Sequence, residues 1–135
     1  MTMRLILIPI ALATLTACET APDQQTRSAS AQRDYDKALA GKVAGKAEKC
    51  LPTYRSNDMT VIDDQTILFR EGRTTWVNNT LGSCSGLGRG GTALVTRNFG
   101  AQLCRGDIAT VADTTSGITV GSCALGDFTP YRPAS

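Results

Sequence analysis

Five cysteines in a chain of 135 residues restrict its fold more than any other feature of the sequence. Cys18 ends an apolar segment near the N-terminus, and the other four, Cys50, Cys84, Cys104 and Cys123, are spread over the C-terminal two-thirds. An even number of cysteines in a small exported domain is typical of a disulfide framework. The sequence therefore predicts two disulfides within one domain, provided that Cys18 has a different role.

Residues 1–17 have the features of a secretory signal peptide. Arg4 supplies a positive charge, and residues 5–17 are apolar or small but fall short of the roughly 20 that span a bilayer. The segment ends in the sequence Leu-Thr-Ala-Cys, a lipobox motif in which the thiol of the cysteine accepts a diacylglyceryl group before cleavage. We therefore predict a lipoprotein signal peptide over residues 1–17 and lipidation of Cys18.

Lipid on Cys18 would determine where the protein is located. Burial of an acyl chain in a bilayer yields about 0.8 kcal/mol per methylene, and two or more chains make the anchoring stable. Glu19 stands where an aspartate often retains a lipoprotein in the inner membrane, so the sequence favours the outer membrane. We expect a protein of the bacterial cell envelope that is held to the membrane by lipid and faces the periplasm.

Charge and residue types argue against several classes of function. The chain has 14 lysines and arginines against 12 aspartates and glutamates, which leaves too small an excess to predict nucleic-acid binding. It contains no histidine, so Ser-His-Asp and Cys-His catalysis are excluded. No two cysteines have the CxxC spacing of a zinc site, and we expect neither a metal nor a cofactor.

The mature chain divides into three parts. Residues 18–33 lack large apolar side chains and predict a flexible tether behind the lipidated cysteine. Residues 34–49 have apolar side chains at every fourth position, which predicts a helix with Asp34 as its N-cap. We expect this helix to pack on the domain, and the alternative is a helix that binds a membrane or a partner. Residues 50–135 are the predicted disulfide-containing domain.

The domain has the sequence pattern of a β fold. Short runs of β-branched and aromatic residues recur along it and are separated by polar or glycine-containing turns, and we expect a loop at 127–135 because of its prolines. The predicted fold is mainly β: a small antiparallel sheet, sandwich or barrel with one N-terminal helix and two disulfides.

One hairpin is predicted in detail, from residues 66–70 and 73–77. A turn between them pairs Phe69 with Thr74 and places Phe69 on the same face as Trp76, so the hairpin has an apolar face to bury.

Four cysteines allow three disulfide pairings, and the sequence does not decide among them. Bonds between consecutive cysteines are the expectation that we favour, namely Cys50–Cys84 and Cys104–Cys123.

Few side chains of the domain suggest chemistry. Asp63 and Asp64 are adjacent between two apolar runs, which is typical of a turn rather than of an acid–base pair. Arg70, Arg73 and Trp76 are the candidates for ligand binding, because guanidiniums bind anions and an indole can stack on a sugar. A single tryptophan among branched residues is nevertheless found more often in a core.

From residue 50 onward the chain resembles a family of small bacterial exported proteins and lipoproteins whose function is unknown. The resemblance lies in the order of short blocks around four cysteines, namely Cys50-Leu51-Pro52, Val61–Arg70, Trp76-Val77-Asn78, Leu81, Cys84, Gly86-Leu87, Leu103-Cys104, Gly106-Asp107-Ile108, Cys123, Leu125-Gly126 and Phe128. It implies a compact exported domain with paired cysteines, and it assigns no catalytic residue.

Together these features predict a bacterial envelope lipoprotein whose domain is a non-catalytic binding or interaction module. Its expected partners are the membrane, through lipid on Cys18, and a protein or glycan of the envelope. One alternative is an inhibitor of a hydrolase such as lysozyme. Another is a small enzyme that uses aspartate and arginine side chains.

Overall fold

The computed structural model describes residues 26–97 and 100–135. The predicted signal peptide, Cys18 and the first part of the predicted tether lie outside the described residues. Within the described ranges, no helix is both long enough and apolar enough to cross a membrane.

The fold is mainly β, with one helix, antiparallel sheets and two disulfides, as the sequence predicts. The helix, α1, spans Ala29–Leu39, and a 3₁₀ turn at Thr53–Arg55 lies between the second and third strands. The strands of the described residues are β1 (Lys42–Ala44), β2 (Cys50–Pro52), β3 (Asp58–Asp63), β4 (Thr66–Glu71), β5 (Thr74–Asn79), β6 (Thr92–Thr96), β7 (Gln102–Cys104), β8 (Ile108–Asp113), β9 (Thr119–Ala124) and β10 (Phe128–Pro133).

The helix begins and ends earlier than the predicted span 34–49. Ser28 is the N-cap instead of Asp34, and its Oγ accepts a hydrogen bond from the backbone N of Ala31 at 3.2 Å. Beyond the C-terminal end the chain turns at Gly41, whose φ of +68° costs glycine little because it has no Cβ. The sequence contains both the capping serine and the glycine that follows the helix. The apolar residues at every fourth position extend farther along the chain, and they favour the later span 34–49.

The last part of the predicted tether, 18–33, is not free, because the chain is already attached to the domain at Arg27. Arg27 Nη2 donates a hydrogen bond to Thr66 Oγ1 at 2.8 Å, and Arg27 Nε forms an ion pair with Asp63 Oδ2 at 2.8 Å. The prediction of a tether is therefore wrong for residues 27–33.

The largest sheet has five antiparallel strands in the order β1-β10-β5-β4-β3. Phe69 and Trp76 share one of its faces, as predicted, and that face packs into the hydrophobic core together with Phe128 and Leu51. Side chains of the opposite face, such as Leu68, are buried as well, and α1 contacts the sheet at β3.

β4 and β5 form the predicted hairpin, but with its register shifted by two residues: Phe69 lies opposite Trp76 instead of Thr74. Gly72, at the first position of the turn, has a φ of +56°, as in the type II′ turns that join twisted strands. The shift places Arg73 at the tip of the hairpin.

The C-terminal segment, predicted as a loop at 127–135, instead contains β10, which lies between β1 and β5 inside the sheet. The carbonyl of Pro130 accepts a hydrogen bond from Gly45 N at 2.7 Å on the side of β1. The missing N–H of Pro130 therefore lies on the side of β1, the edge strand, and not on the side of β5 in the interior of the sheet. Phe128, at the start of β10, is fully buried.

The disulfides are Cys50–Cys104 and Cys84–Cys123, so the favoured pairing of Cys50–Cys84 and Cys104–Cys123 is wrong. Cys50 on β2 lies directly opposite Cys104 on β7 in a two-stranded ribbon. Cys84 lies in the loop after β5 and is bonded to Cys123 on β9, in the three-stranded sheet β6-β8-β9. Strand pairing, and not the length of the loop between cysteines, decides which cysteines meet.

Candidate functional site

Arg70, Arg73 and Trp76, the predicted ligand-binding residues, do not share one surface. Trp76 belongs to the core and is 1% exposed. Arg70 lies opposite Thr75, so its side chain projects from the face of the sheet opposite to that of Trp76. Arg73 is exposed at the hairpin tip. All three nevertheless lie at the same end of the sheet, where β4 turns into β5.

That end of the sheet collects basic side chains from segments that are distant in the sequence. We call it the basic end and define it by five cations: Lys42 on β1, Arg55 on the 3₁₀ turn, Arg70 on β4, Arg73 in the β4–β5 turn and Arg132 on β10. The sequence predicts two of the five, Arg70 and Arg73, as ligand-binding residues and not the other three, because strand order and not proximity in the sequence brings them together.

Two carboxylates accompany the basic end. Glu71 Oε2 is 2.9 Å from Arg55 Nε, and Asp58 is the cross-strand neighbour of Arg70. No ion pair in the described part of the chain includes the four cations other than Arg55, namely Lys42, Arg70, Arg73 and Arg132. The local charge is therefore positive.

Lys42 lies near enough to Arg70 for their charges to interact. Its Nζ donates a hydrogen bond to Thr75 Oγ1 at 2.6 Å. Burial lowers the pKa of Lys42 below its ordinary value, and the positive charge of Arg70 lowers this pKa further. An anion placed nearby would offset the repulsion between the two cations.

Two arginines of the basic end lie against the indole of Trp76. Arg55 Cζ is 5.6 Å from the ring centroid and Arg132 Cζ is 5.8 Å from it, both within the distance of a cation–π contact. Trp76 Nε1 is buried, and no described residue accepts a hydrogen bond from it. Arg55 Nε is also without a hydrogen bond, because its ion pair with Glu71 lacks the alignment of one. Donors thus outnumber acceptors around this ring.

Asp63 and Asp64 form a turn, as predicted, and both carboxylates have partners. Asp63 Oδ1 accepts a hydrogen bond from Gln65 N at 2.8 Å, and Asp64 Oδ1 accepts one from Gly88 N at 2.7 Å. They line an open cavity of about 340 Å³ next to Arg27. The hydrogen bond of Asp63 stabilises the turn itself and that of Asp64 attaches a neighbouring loop to the sheet, and both are structural roles. Across residues 26–97 and 100–135, no cluster of three or more metal-binding side chains is found.

A second exposed surface lies on the outer face of the three-stranded sheet. Val95 and Ile108 project there and are 44% and 59% exposed, and Val120, 49% exposed, lies at a bulge of the adjacent edge strand. Exposed apolar side chains can mark a protein-binding face, so this surface provides the control for any interface assigned to the basic end.

No protein-family model matches this chain, and no curated protein or solved structure has significant similarity to it. The resemblance of residues 50–135 to a family of small exported proteins therefore stays a prediction, and the functional argument depends on the geometry of the basic end.

Proposed function

We propose that the chain is a bacterial envelope lipoprotein, anchored through Cys18, whose domain binds an acidic protein partner at its basic end without catalysis. The observation that carries this proposal is the local excess of cations, five against two carboxylates, in a chain whose net charge is only +2. Complementary charge steers a partner to such a surface and discriminates against basic competitors.

The burial of Trp76 favours a protein over a glycan as the partner. Recognition of a sugar by stacking needs an exposed aromatic face, whereas the indole of Trp76 is 1% exposed. Guanidiniums on several strands instead match carboxylates on an acidic protein surface, with which arginine forms paired hydrogen bonds.

The relative positions of the anchor and the basic end support the same interpretation. Arg27, nine residues after Cys18, binds beside Thr66 at the start of β4, whereas the basic end lies at the end of β4. The six residues of this strand span about 20 Å. The nine residues from Cys18 to Arg27 reach about 30 Å at most. A domain attached at one end of its sheet presents the other end to the periplasm.

Replacement of Cys18 by alanine tests the anchor. We expect loss of radiolabelled lipid from the protein and its transfer from the membrane fraction to the soluble fraction, because no thiol remains to accept diacylglycerol. Glu19→Asp is the matched control: it should keep the lipid and change only the choice between outer and inner membrane. Lipid labelling of the Cys18→Ala protein, or its persistence on washed membranes, would show that the anchor is assigned incorrectly.

Crosslinking in intact cells tests the binding proposal. The lipidated protein should capture an acidic envelope protein, and a Lys42→Glu/Arg73→Glu variant should capture it on the order of tenfold less, because both reversed charges would repel the partner. High salt should weaken the capture by the wild-type protein.

The matched control reverses two exposed arginines away from the basic end, Arg33→Glu on α1 and Arg89→Glu at the cavity that Arg27 lines. If both double variants capture the partner equally poorly, the loss depends on net charge and not on the basic end, and the proposal is contradicted. Loss of capture in Ile108→Thr, with the charge variants unaffected, would place the interface on the three-stranded sheet instead.

A further inference from the structure

We propose that the basic end contains a defined carboxylate-binding site, formed by Arg55 and Arg132 over the indole of Trp76, and that Glu71 occupies part of it in the free protein. The inference rests on the proposed function in one respect: the carboxylate belongs to the acidic partner. It goes further by naming the residues that hold the carboxylate and by assigning to Glu71 the role of occupying the site until the partner binds.

The buried donors around Trp76 are the first argument. A buried indole N–H usually has a hydrogen-bond partner, yet Trp76 Nε1 has none among the described residues, and Arg55 Nε has only its misaligned ion pair with Glu71. Arg132 adds a second guanidinium 5.8 Å from the same ring. A carboxylate offers a cluster of guanidinium donors only acceptor atoms and a negative charge, whereas a neutral amide or a hydroxyl would add a further donor and no charge.

The seating of Arg132 is an independent observation. Its guanidinium lies against the backbone of Gly45, where an added Cβ would be 3.2 Å from Arg132 Nη1 and 3.1 Å from the ring of Pro130. The absence of a side chain at Gly45 thus gives the guanidinium room beside the indole. Arg55 is similarly placed by Tyr54, whose ring centroid is 5.4 Å from Arg55 Cζ. Both guanidiniums are therefore held near Trp76 by neighbouring groups.

Glu71 is the internal competitor. Its carboxylate is 2.9 Å from Arg55 Nε but is not aligned for a hydrogen bond, and 40% of its side-chain surface is exposed. A half-exposed side chain in a poorly aligned pair can move into solvent with little loss. A carboxylate of the partner would then take its place at Arg55 and gain Arg132 as a second contact.

The fluorescence of Trp76 tests this site directly, because it is the single tryptophan of the chain. The mature protein in neutral detergent is titrated with N-acetylglutamate at constant ionic strength, with sodium chloride as the blank. We expect a saturable change in emission, because a new anion over the guanidiniums alters the field at the indole. An unsaturable change, or the same change with chloride, would overturn the proposal.

Three variants sharpen the titration. Glu71→Gln removes the competing charge at similar volume and should strengthen binding at least threefold. Arg132→Gln should weaken it at least tenfold, and Arg132→Lys should restore it only in part, because lysine keeps the charge but lacks the planar pair of donors. Arg105→Gln breaks the ion pair of Arg105 with Asp127, outside the basic end, and should leave the affinity unchanged. Binding that is unaffected or weakened by Glu71→Gln would contradict the role of that residue.

Two further probes identify the source of the anion. Inorganic phosphate should bind more weakly than N-acetylglutamate, and vesicles of anionic phospholipid should leave the emission unchanged. A stronger response to phosphate together with a response to vesicles would overturn the carboxylate assignment in favour of a lipid headgroup. If partner capture persists while this titration stays flat, the carboxylate site is wrong and the proposed function stands.

Discussion

Replacing Cys84 and Cys123 together by alanine should lower the free energy of unfolding by about 4 kcal/mol from loop entropy alone. The bond joins residues 39 positions apart, so its loss frees a long loop in the unfolded chain. Both sulfurs also belong to the hydrophobic core: Cys84 is fully buried and Cys123 is 8% exposed. The alanines leave a cavity there, which adds to the entropic loss. A small domain has about 5–15 kcal/mol of stability in total, so we expect a large shift in the midpoint of urea unfolding.

The Cys50→Ala/Cys104→Ala variant is the matched control. It opens a loop with a separation of 54 residues, so its entropic effect is of similar size, again about 4 kcal/mol. Both sulfurs are only partly buried, on a two-stranded ribbon, so little cavity is created. The core pair should therefore be the more costly one to remove. A larger loss of stability in the Cys50→Ala/Cys104→Ala variant would contradict the role of core burial. A peptide map that joins Cys50 to Cys84 would contradict the disulfide pairing.

Gly126→Ala is the second substitution with a large expected effect, about 3 kcal/mol or more, because it disturbs buried hydrogen bonds that no other group can replace. A Cβ on Gly126 would overlap the backbone carbonyl oxygen of Asn79, which cannot move without distorting β5. The fully buried side chain of Asn78 holds the same backbone: its Nδ2 donates to Gly126 O at 2.8 Å and its Oδ1 accepts from Gly126 N at 3.1 Å. Chemical denaturation would measure the loss.

Gly90→Ala is the control for this substitution, because a Cβ there meets nothing within 4 Å and its φ is not positive. We expect it to change the stability by less than about 0.5 kcal/mol. Asn78→Ala should be nearly as damaging as Gly126→Ala, and the double variant should fall well short of the sum, since both lose the same two hydrogen bonds. Additive losses would mean that the two residues act independently.

The parts of the fold that depend on neighbouring residues could be predicted from the sequence. Runs of β-branched and aromatic residues on either side of a turn identified β4 and β5, and the hairpin placed Phe69 and Trp76 on one buried face. The Asp63-Asp64 turn was predicted for the same reason, because the dipeptide separates two apolar runs. These features involve residues only a few positions apart, whose mutual geometry follows from the backbone.

The errors arose where several local signals competed. Apolar residues every fourth position extended the helix prediction to residue 49, although Ser28 and Gly41 already provided its start and its end. The prolines near the C-terminus predicted a loop, because the sequence does not show that the missing N–H of Pro130 faces an edge strand. In both cases the position of a residue within the sheet outweighed its intrinsic preference.

The candidate site shows the same division between local and tertiary information. Arg70 and Arg73 were identified because they flank one turn, whereas Arg55 and Arg132 reach the same end of the sheet from a 3₁₀ turn and from the C-terminal strand. The sequence contains all of these cations without indicating that they meet. It also does not show that Trp76, an apparent stacking platform, lies buried under two of them.

By itself the sequence determined that the domain is mainly β, contains one helix and is closed by two disulfides, because apolar periodicity and an even count of cysteines are local or additive properties. Only the tertiary structure decided the partners: Cys50 with Cys104, Cys84 with Cys123, and the five cations of the basic end with one another. These choices follow from the order of strands in the sheets. Strand order is set by the free energy of the whole core, in which contacts between distant segments compete and no short stretch of sequence contains the result.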